Sequence, residues 1–255
     1  MKKIVVALLG ILFFTSCEKE KSKYEFTNSE QQKFVSFINE INTYGAKNDI
    51  EQEELKKENQ GKIDSISRIL MVNNWKGQIS EISTFEVGKS TELSFVISFD
   101  IGEADKISFK TIYLLDNNKK ETDFFFNKVK NLYDHSTVYF DGFISTDLLG
   151  NTEYFNENSF YSPLGANKDY YFNTINISDK ITPKFSENLI KSNTIAAAVF
   201  DLLDKKVRKK ISNSNWDKET KKLTEEAKKI ELTSEEKSIN DTYRKYLYFK
   251  FMDLQ

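Results

Sequence analysis

The chain has 255 residues, of which 39% are hydrophobic and 14% aromatic, so it is long enough for about one or two domains with a buried core. The formal net charge is −2, and the charged residues, 30% of the chain, mix both signs. This balance excludes the strongly basic surface by which proteins bind nucleic acid electrostatically.

The N-terminus has the layout of a secretory signal. A short basic start precedes an apolar run from Ile4 to Phe14, and Cys17, the sole cysteine, follows two small polar residues. As a helix, this run would be about 16 Å long, which is too short for the roughly 30 Å hydrocarbon core of a bilayer. Residues 1–16 are therefore predicted to be a signal peptide.

The segment Phe14-Thr15-Ser16-Cys17 resembles the lipobox of bacterial lipoproteins, in which leucine usually stands where this chain has Phe14. The resemblance implies that Cys17 carries a diacylglycerol thioether, becomes the mature N-terminus and anchors the protein to the outer membrane. A plain signal peptide is the alternative. Because acylation uses the only cysteine, no disulfide is expected in the mature protein.

Residues 17–27 are predicted to be a charged tether, since Glu18 to Lys23 is a run of mixed charges. In lipoproteins of the Bacteroidota type, to which this N-terminus is similar, a short charged run after the cysteine directs the protein to the cell surface. The resemblance leaves both the cell surface and the periplasmic face open.

Residues 28–72 are predicted to form a helical hairpin. The first helix is expected over Thr27 to Tyr44, where apolar residues recur at helical spacing and Thr27 and Glu30 have the spacing of a capping box. A second helix is expected from about Asp49 to Val72, because Asn73-Asn74 then interrupts the pattern.

Residues 73–185 are predicted to form a five-stranded antiparallel β-barrel in an α+β protein. From Trp75 onward the apolar residues alternate with polar ones, which is typical of strands with one buried face. A phase slip between Ile79 and Ile82 indicates a bulge in the first strand. The elements expected after this bent strand are strands Thr91 to Ile101 and Ile107 to Leu115, a helix Glu121 to Tyr133, and strands Val138 to Ile144 and Tyr170 to Ile177.

Three motifs carry a second resemblance. Trp75-Lys-Gly-Gln-Ile79, Gly88-Lys89 and Val138-Tyr-Phe-Asp-Gly-Phe143 are similar to a family of OB-like domains in exported bacterial proteins, whose members often end on a Pro-x-Phe such as Pro183-Lys-Phe185. The likeness covers about residues 28–186 and implies an OB-fold with its helix between strands three and four. It implies no activity, and a plain β-sandwich is the alternative fold.

Residues 186–255 are predicted to form two or three helices that pack on the barrel or on a partner. Thr194 to Ile211 is amphipathic, and Thr233 and Glu236 have the spacing of a second capping box. The densest basic run is expected to lie at a helix C-terminus, where cations are favourable. This run consists of Lys205, Lys206, Arg208, Lys209 and Lys210.

No catalytic or metal motif stands out. His135 is the only histidine and, next to Asp134, is predicted to lie in a turn; a metal site needs several ligands at set spacing. A glycosidase needs two carboxylates across a cleft, and spacing alone does not bring a pair together here. The acidic residues considered for that role are Asp100, Glu103, Asp105, Asp141 and Asp147.

Aromatic residues cluster around one loop and the last strand, where they are predicted to cover an end of the barrel or, alternatively, to bind a sugar ring or a protein. The outer face of the second and third strands is predicted to lack aromatic residues, which argues against single-stranded nucleic acid. We therefore expect a non-catalytic binding or interaction module at the cell envelope, with a protein or glycan partner and no cofactor. A small envelope hydrolase is the alternative. The clustered residues are Tyr154, Phe155, Phe160, Tyr161, Tyr170, Tyr171 and Phe172.

Overall fold

The computed structural model describes residues 28–43, 47–67, 71–101, 105–146, 152–155 and 168–252. Cys17, the signal peptide and the tether therefore lie outside the described residues. Five strands are present in the described part of the chain. They are β1 (Met71–Val87), β2 (Ser90–Asp100), β3 (Lys106–Asp116), β4 (Thr137–Ile144) and β5 (Asp169–Ser178).

Helices precede, interrupt and follow the strands, which makes this an α+β protein. A 3₁₀ helix, Asn117–Thr122, leads into the helix between β3 and β4. The α-helices in the described residues are α1 (Ser29–Thr43), α2 (Asp49–Ser67), α3 (Phe124–Lys130), α4 (Glu187–Val207), α5 (Asn213–Ala227) and α6 (Ser234–Met252).

The five strands form one sheet that closes into a ring. Neighbouring strands follow the order β1-β2-β3-β5-β4, and β4 pairs again with β1. The prediction of a wholly antiparallel sheet was wrong, because β3 and β5 run parallel, with Lys110 opposite Tyr171. A closed ring with an odd number of strands cannot alternate direction at every step, so a five-stranded ring must contain a parallel pair.

Aromatic side chains fill the inside of the ring. Trp75, Phe109 and Phe140 are fully buried, and the ring centroid of Phe109 lies 6.2 Å from that of Trp75 and 5.9 Å from that of Phe140. Phe34 of α1 closes one end, with its ring 5.2 Å from Trp75. The apolar residues that alternate along β2 and β3 are buried, as expected of strands with one buried face. They are Leu93, Phe95, Ile97, Phe99, Ile107, Phe109 and Tyr113.

Two glycines let strands approach unusually closely. A Cβ atom on Gly77 would lie 2.5 Å from Cγ2 of Ile97, and one on Gly142 would lie 2.3 Å from the main-chain oxygen of Asn173. Both glycines belong to the motifs that the chain shares with OB-like domains. The motifs therefore mark positions where a neighbouring strand leaves no space for a side chain.

The first strand is irregular at two places. The register with β2 shifts between Ser80 and Ser83, and Glu81 has a φ of 58°, which confirms the bulge expected from the phase slip. The register with β4 also shifts between Val72 and Trp75. Asn73 and Asn74 were expected to end a helix, and they lie inside β1 instead.

Helices α1 and α2 are present, and α2 begins at Asp49 as predicted but ends earlier than expected. Asn28 caps α1, since its Oδ1 accepts hydrogen bonds from the backbone N–H groups of Glu30 at 2.9 Å and Gln31 at 3.2 Å. Thr27, the predicted cap, lies outside the described residues. The predicted helix to Val72 was too long, because Met71 and Val72 already pair with β4. The packing of α1 on α2 as a hairpin stays a prediction.

Helix α3 is shorter than expected and begins after Asp123, whose carboxylate accepts a hydrogen bond from the backbone N–H of Phe126 at 2.9 Å. Lys245 of α6 donates to the same carboxylate at 2.6 Å and also to the hydroxyl of Tyr113 in β3. These contacts hold α6 against the ring near α3. Helix α4 packs in turn against α6.

The ends of the C-terminal helices agree with the sequence. Thr233 and Glu236 form a reciprocal capping box, with hydrogen bonds of 2.8 Å and 3.2 Å. The basic run lies at the end of α4, where Lys205 pairs with Asp201 at 2.6 Å and Arg208 with Asp204 at 2.6 Å. The predicted position of this run at a helix C-terminus is confirmed.

Candidate functional site

A groove of about 830 Å³ opens where α1, β1, the segment after β5, α4 and α6 meet. Its volume is within the range of pockets that bind small ligands. Because four asparagines line it, we call it the asparagine groove. Its lining residues are Asn28, Ser29, Glu30, Met71, Asn73, Asn74, Ile181, Lys184, Phe185, Ile190, Asn193, Thr194, Ala197 and Tyr243.

One wall of the asparagine groove is apolar. Ile181 and Ile190 are 66% and 52% exposed, although large aliphatic side chains are usually buried. Phe185 and Tyr243 line the same groove and are partly buried. The groove therefore offers an apolar surface that a ligand can cover.

A buried carboxylate lies behind the opposite, polar wall. Asp141 of β4 is 0% exposed. Its Oδ1 accepts hydrogen bonds from Asn73 Nδ2 at 2.7 Å and from the backbone N–H of Asn74 at 2.6 Å. Its Oδ2 accepts from Asn176 Nδ2 at 2.8 Å, and the Thr182 hydroxyl lies 3.4 Å from both oxygens. Burial raises the pKa of Asp141 by more than these hydrogen bonds lower it.

The irregularity of β1 between Val72 and Trp75 directs Asn73 and Asn74 into the groove. Asn74 has a φ of 58°, a left-handed conformation that asparagine tolerates better than most residues. Its Oδ1 accepts a hydrogen bond from the backbone N–H of Thr182 at 3.0 Å, which ties the segment after β5 to β1. Bulges commonly turn side chains out of a sheet in this way. Asn73 and Asn74 are therefore held by β1, β4 and the segment after β5 together.

Helix α1 is attached to β1 by a side-chain amide. Gln31 is fully buried; its Nε2 donates to the main-chain oxygen of Lys76 at 2.7 Å, and the backbone N–H of Lys76 donates to its Oε1 at 2.9 Å. Asn28 also donates from Nδ2 to the main-chain oxygen of Asn73 at 2.8 Å. These bonds fix the α1 side of the asparagine groove.

Three amide atoms in the groove have no hydrogen-bond partner among the described residues. They are Oδ1 of Asn73, Nδ2 of Asn74 and Nδ2 of Asn193. Asn193 of α4 is only 5% exposed, and its Oδ1 accepts a hydrogen bond from Asn240 Nδ2 at 2.8 Å. Each of these three asparagines is thus bonded at one end of its amide and open at the other, whereas Asn28 is bonded at both ends.

The residues considered for catalysis do not converge on this groove as a set. His135 lies in an exposed turn with a φ of 62°, as predicted, and its Nε2 is 3.4 Å from Oδ2 of Asp134. Asp105 pairs with Lys168 at 2.9 Å, and Asp100 is exposed at the end of β2. Glu103 and Asp147 lie outside the described residues. Within the described ranges, no group of three or more potential metal ligands occurs.

The aromatic cluster divides between the inside and the outside of the ring. Tyr170 and Phe172 are buried inside the ring, and Tyr154 packs on Tyr170 with ring centroids 5.3 Å apart. These contacts support the packing role that was favoured for the cluster. Phe160 and Tyr161 lie outside the described residues.

Two aromatic residues lie on the outer face of the ring. Tyr171 stands beside Lys110, and the Phe155 ring packs 5.9 Å from the Tyr171 ring and 5.7 Å from the Lys110 amine. The outward residues of β2 and β3 are themselves non-aromatic, as predicted, and the aromatic neighbours of Lys110 come from β5 and from Phe155. The parallel pairing of β3 with β5 brings Tyr171 beside Lys110, and a local pattern does not show that pairing.

Sequence reasoning missed the asparagine groove. Asn73-Asn74 was interpreted as a helix stop, although two asparagines followed by a period-two pattern also fit a bulged strand start. Asn193 carried no recognisable pattern, since it lies on the helix face that α6 covers through Asn240. The groove therefore depends on contacts between distant parts of the chain.

None of the described helices is long and apolar enough to cross a membrane. No protein family, curated protein or solved structure matches the chain. The function is therefore inferred from the chain's own residues and their arrangement.

Proposed function

We propose that this protein is a lipid-anchored, non-catalytic binding module of a bacterial, Bacteroidota-type cell envelope, and that the asparagine groove is its ligand site. The groove is the observation that carries the proposal. It combines an apolar wall with a few polar groups held in place, the combination that distinguishes ligand sites from ordinary surface. The described lining contains one carboxylate, Glu30, and one amine, Lys184.

The same arrangement favours binding over hydrolysis. General acid–base hydrolysis needs two carboxylates across the substrate or a nucleophile next to a base. Glu30 is the carboxylate on the described lining, and both oxygens of the nearby Asp141 already accept hydrogen bonds from the protein. Asp141 is also fully buried behind the groove lining, so its oxygens are out of reach of a substrate in the groove.

We also propose that the closed sheet is an OB-like barrel. The strand order β1-β2-β3-β5-β4, the bulged first strand and the position of α3 between β3 and β4 all support this fold. The pairing of β4 with β1 favours a barrel over a sandwich of two separate sheets.

The proposed anchor rests on the sequence around Cys17. In cells grown with a palmitate analogue, we expect the wild-type chain to be labelled and Cys17→Ala to be unlabelled, because the thioether needs that thiol. Two or more acyl chains hold a protein firmly to a membrane. Ser16→Ala is the matched control and should retain the label, since alanine is a usual lipobox residue at that position.

An unlabelled wild type, or a labelled Cys17→Ala chain, would contradict the proposed anchor. Protease treatment of intact cells then separates the two envelope faces. Cleavage of the labelled protein indicates the cell surface, whereas protection indicates the periplasmic face.

The ligand site is tested by filling the groove. Thr194 is exposed on α4 and lines the groove, and its hydroxyl donates to the main-chain oxygen of Ile190 at 2.9 Å. We expect Thr194→Phe to weaken binding at least about tenfold, a loss of about 1.4 kcal/mol, because the ring occupies space that the ligand needs. The measurement is retention of the full-length chain, in detergent, on arrays of neutral oligosaccharides and of capped peptides.

Thr224→Phe is the matched control. Thr224 is exposed on α5, its hydroxyl donates to the main-chain oxygen of Thr220 at 2.8 Å, and it does not line the groove. The change in helix propensity is therefore the same as at Thr194. The proposal fails if wild type binds nothing on either array, or if the two variants lose binding equally.

A further inference from the structure

We infer that the asparagine groove binds an extended, uncharged peptide segment, with its free amide atoms paired to the peptide main chain and its apolar wall covered by apolar side chains. This inference rests on the proposed function, that of a binding module, and names the class of its ligand.

The free amide atoms form a complementary set for a main chain. Asn73 offers an acceptor, Oδ1, while Asn74 and Asn193 each offer an Nδ2 donor. A peptide main chain presents one N–H donor and one carbonyl acceptor at nearly every residue. One N–H and two carbonyls of an extended segment therefore match the three open positions.

The orientation of two of these amides is set by their partners. Asn73 must direct its Nδ2 at Asp141, because a carboxylate accepts hydrogen bonds and does not donate them. Asn74 must direct its Oδ1 at the backbone N–H of Thr182. Their acceptor and donor ends cannot be exchanged, so the groove distinguishes a ligand donor from a ligand acceptor at these positions.

Asn193 shows that the site is built into the fold. Its side chain is 5% exposed, yet Nδ2 has no partner among the described residues and faces the groove. No described protein group uses this end of the amide, so it stays open to the groove, where a ligand carbonyl can accept its hydrogen bond. The preferred position of a ligand acceptor is therefore beside Asn193.

The chain already pairs amide side chains with its own main chain next to the groove. Gln31 takes both the N–H and the carbonyl of Lys76, and Asn28 donates to the carbonyl of Asn73. A bound peptide would be held by the same type of bond, through Asn74 and Asn193. The groove thus continues an interaction that the structure shows on its α1 side.

The apolar wall of the asparagine groove favours a peptide ligand over a sugar ligand. Sugar rings bind best on the open faces of aromatic side chains, whereas the most exposed wall residues, Ile181 and Ile190, are aliphatic. The Tyr243 ring is engaged with Phe143, at 5.4 Å between centroids. Branched aliphatic surface instead suits leucine-like or valine-like side chains. A single carboxylate and a single amine on the described lining indicate no strongly charged ligand.

The test uses peptides whose main chain is altered at one position. The probes are N-acetylated, C-amidated hexapeptides of alanine, leucine, valine and serine, arrayed beside neutral oligosaccharides and incubated with the detergent-solubilised full-length chain. We expect binding to the peptides. Replacing one central amide of a bound peptide by an ester removes one N–H group of the peptide. This change should weaken binding about tenfold at the position whose N–H donates to Oδ1 of Asn73.

The controls separate this inference from the proposed function. Thr194→Phe should lose peptide binding and Thr224→Phe should retain it. Binding to oligosaccharides alone overturns the inference and leaves a binding module with another ligand. Peptide binding that no single ester weakens also overturns it, because the main chain is then not what the groove recognises. Absence of binding on both arrays overturns the inference and the proposed function together.

Discussion

Replacing Gly142 by alanine is expected to lower the free energy of unfolding by about 3 kcal/mol, the upper end of the usual cost of overpacking. An added Cβ would lie 2.3 Å from the main-chain oxygen of Asn173 and 2.6 Å from Cε1 of Phe172. The oxygen belongs to the paired strand β5, so it moves only if the β4–β5 pairing moves as well. Urea denaturation followed by tryptophan fluorescence, to which the buried Trp75 contributes, measures the change.

Two other glycines serve as controls for that prediction. Gly61 lies in α2 with nothing within 4 Å of an added Cβ, so Gly61→Ala should stabilise the protein by about 0.5–1 kcal/mol through helix propensity. The effect of Gly77→Ala on the free energy of unfolding should lie between these two effects. The atom closest to the added Cβ is Cγ2 of Ile97, at 2.5 Å, and a side chain can move more easily than a main-chain oxygen. Equal effects at Gly61 and Gly142 would show that β4 and β5 are not closely packed.

Asp141→Asn is expected to lower the free energy of unfolding by about 3 kcal/mol at neutral pH. Asn73, Asn74 and Asn176 all direct N–H groups at the carboxylate, and an amide NH₂ in its place would face at least one of them. A buried donor left without an acceptor costs about 1–3 kcal/mol, and this mismatch sets the expected loss, because burial already outweighs the hydrogen bonds to the charge. The same denaturation experiment measures this change.

The exposed Asp217 of α5 provides the matched substitution. Asp217→Asn should change the free energy of unfolding by less than about 0.5 kcal/mol, because the side chain stays in water in both states. Asp141→Asn should also weaken binding to the groove, since Asn73 and Asn74 lose their common anchor. A stable Asp141→Asn variant with unchanged binding would show that the buried carboxylate does not organise the groove.

The loss in free energy of unfolding caused by Asp141→Asn depends on pH, and the pKa of Asp141 sets the sign of this dependence. Burial raises the pKa of Asp141 above the ordinary value of 3.8. Between that value and the folded pKa, the folded state holds more protons than the unfolded state, so the stability contributed by Asp141 falls as pH rises through this window. The loss caused by Asp141→Asn should therefore be larger near pH 4 than at neutral pH. A loss that grows with pH would contradict the raised pKa.

Elements with a strong local pattern were predictable. The alternation of Leu93, Phe95 and Ile97 placed β2 and its buried face correctly, because each side chain in a strand points opposite to the next. The capping box of Thr233 and Glu236 was correct for a similar reason, since its hydrogen bonds join residues within one turn. The bulge near Glu81 was visible as a break in the period.

Elements whose ends depend on distant partners were predicted less well. The expected second helix extended to Val72, but pairing with Phe143 and Gly142 turns Met71 and Val72 into a strand. The free energy of this pairing comes from residues far along the chain, so local propensity does not reveal it. For the same reason, the local pattern at Asn73-Asn74 indicates a helix stop although both residues lie in β1.

By itself, the sequence determined the class of the fold and most of the strands, because those features depend on short segments and local periodicity, whereas the anchor at Cys17 stays a prediction. The tertiary structure alone decided the parallel pairing of β3 with β5 and the asparagine groove. A closed five-stranded ring requires one parallel pair, and only the docking of α4 and α6 brings Asn193 opposite the bulge that holds Asn73 and Asn74. Such contacts join residues distant in sequence, and no local pattern encodes them.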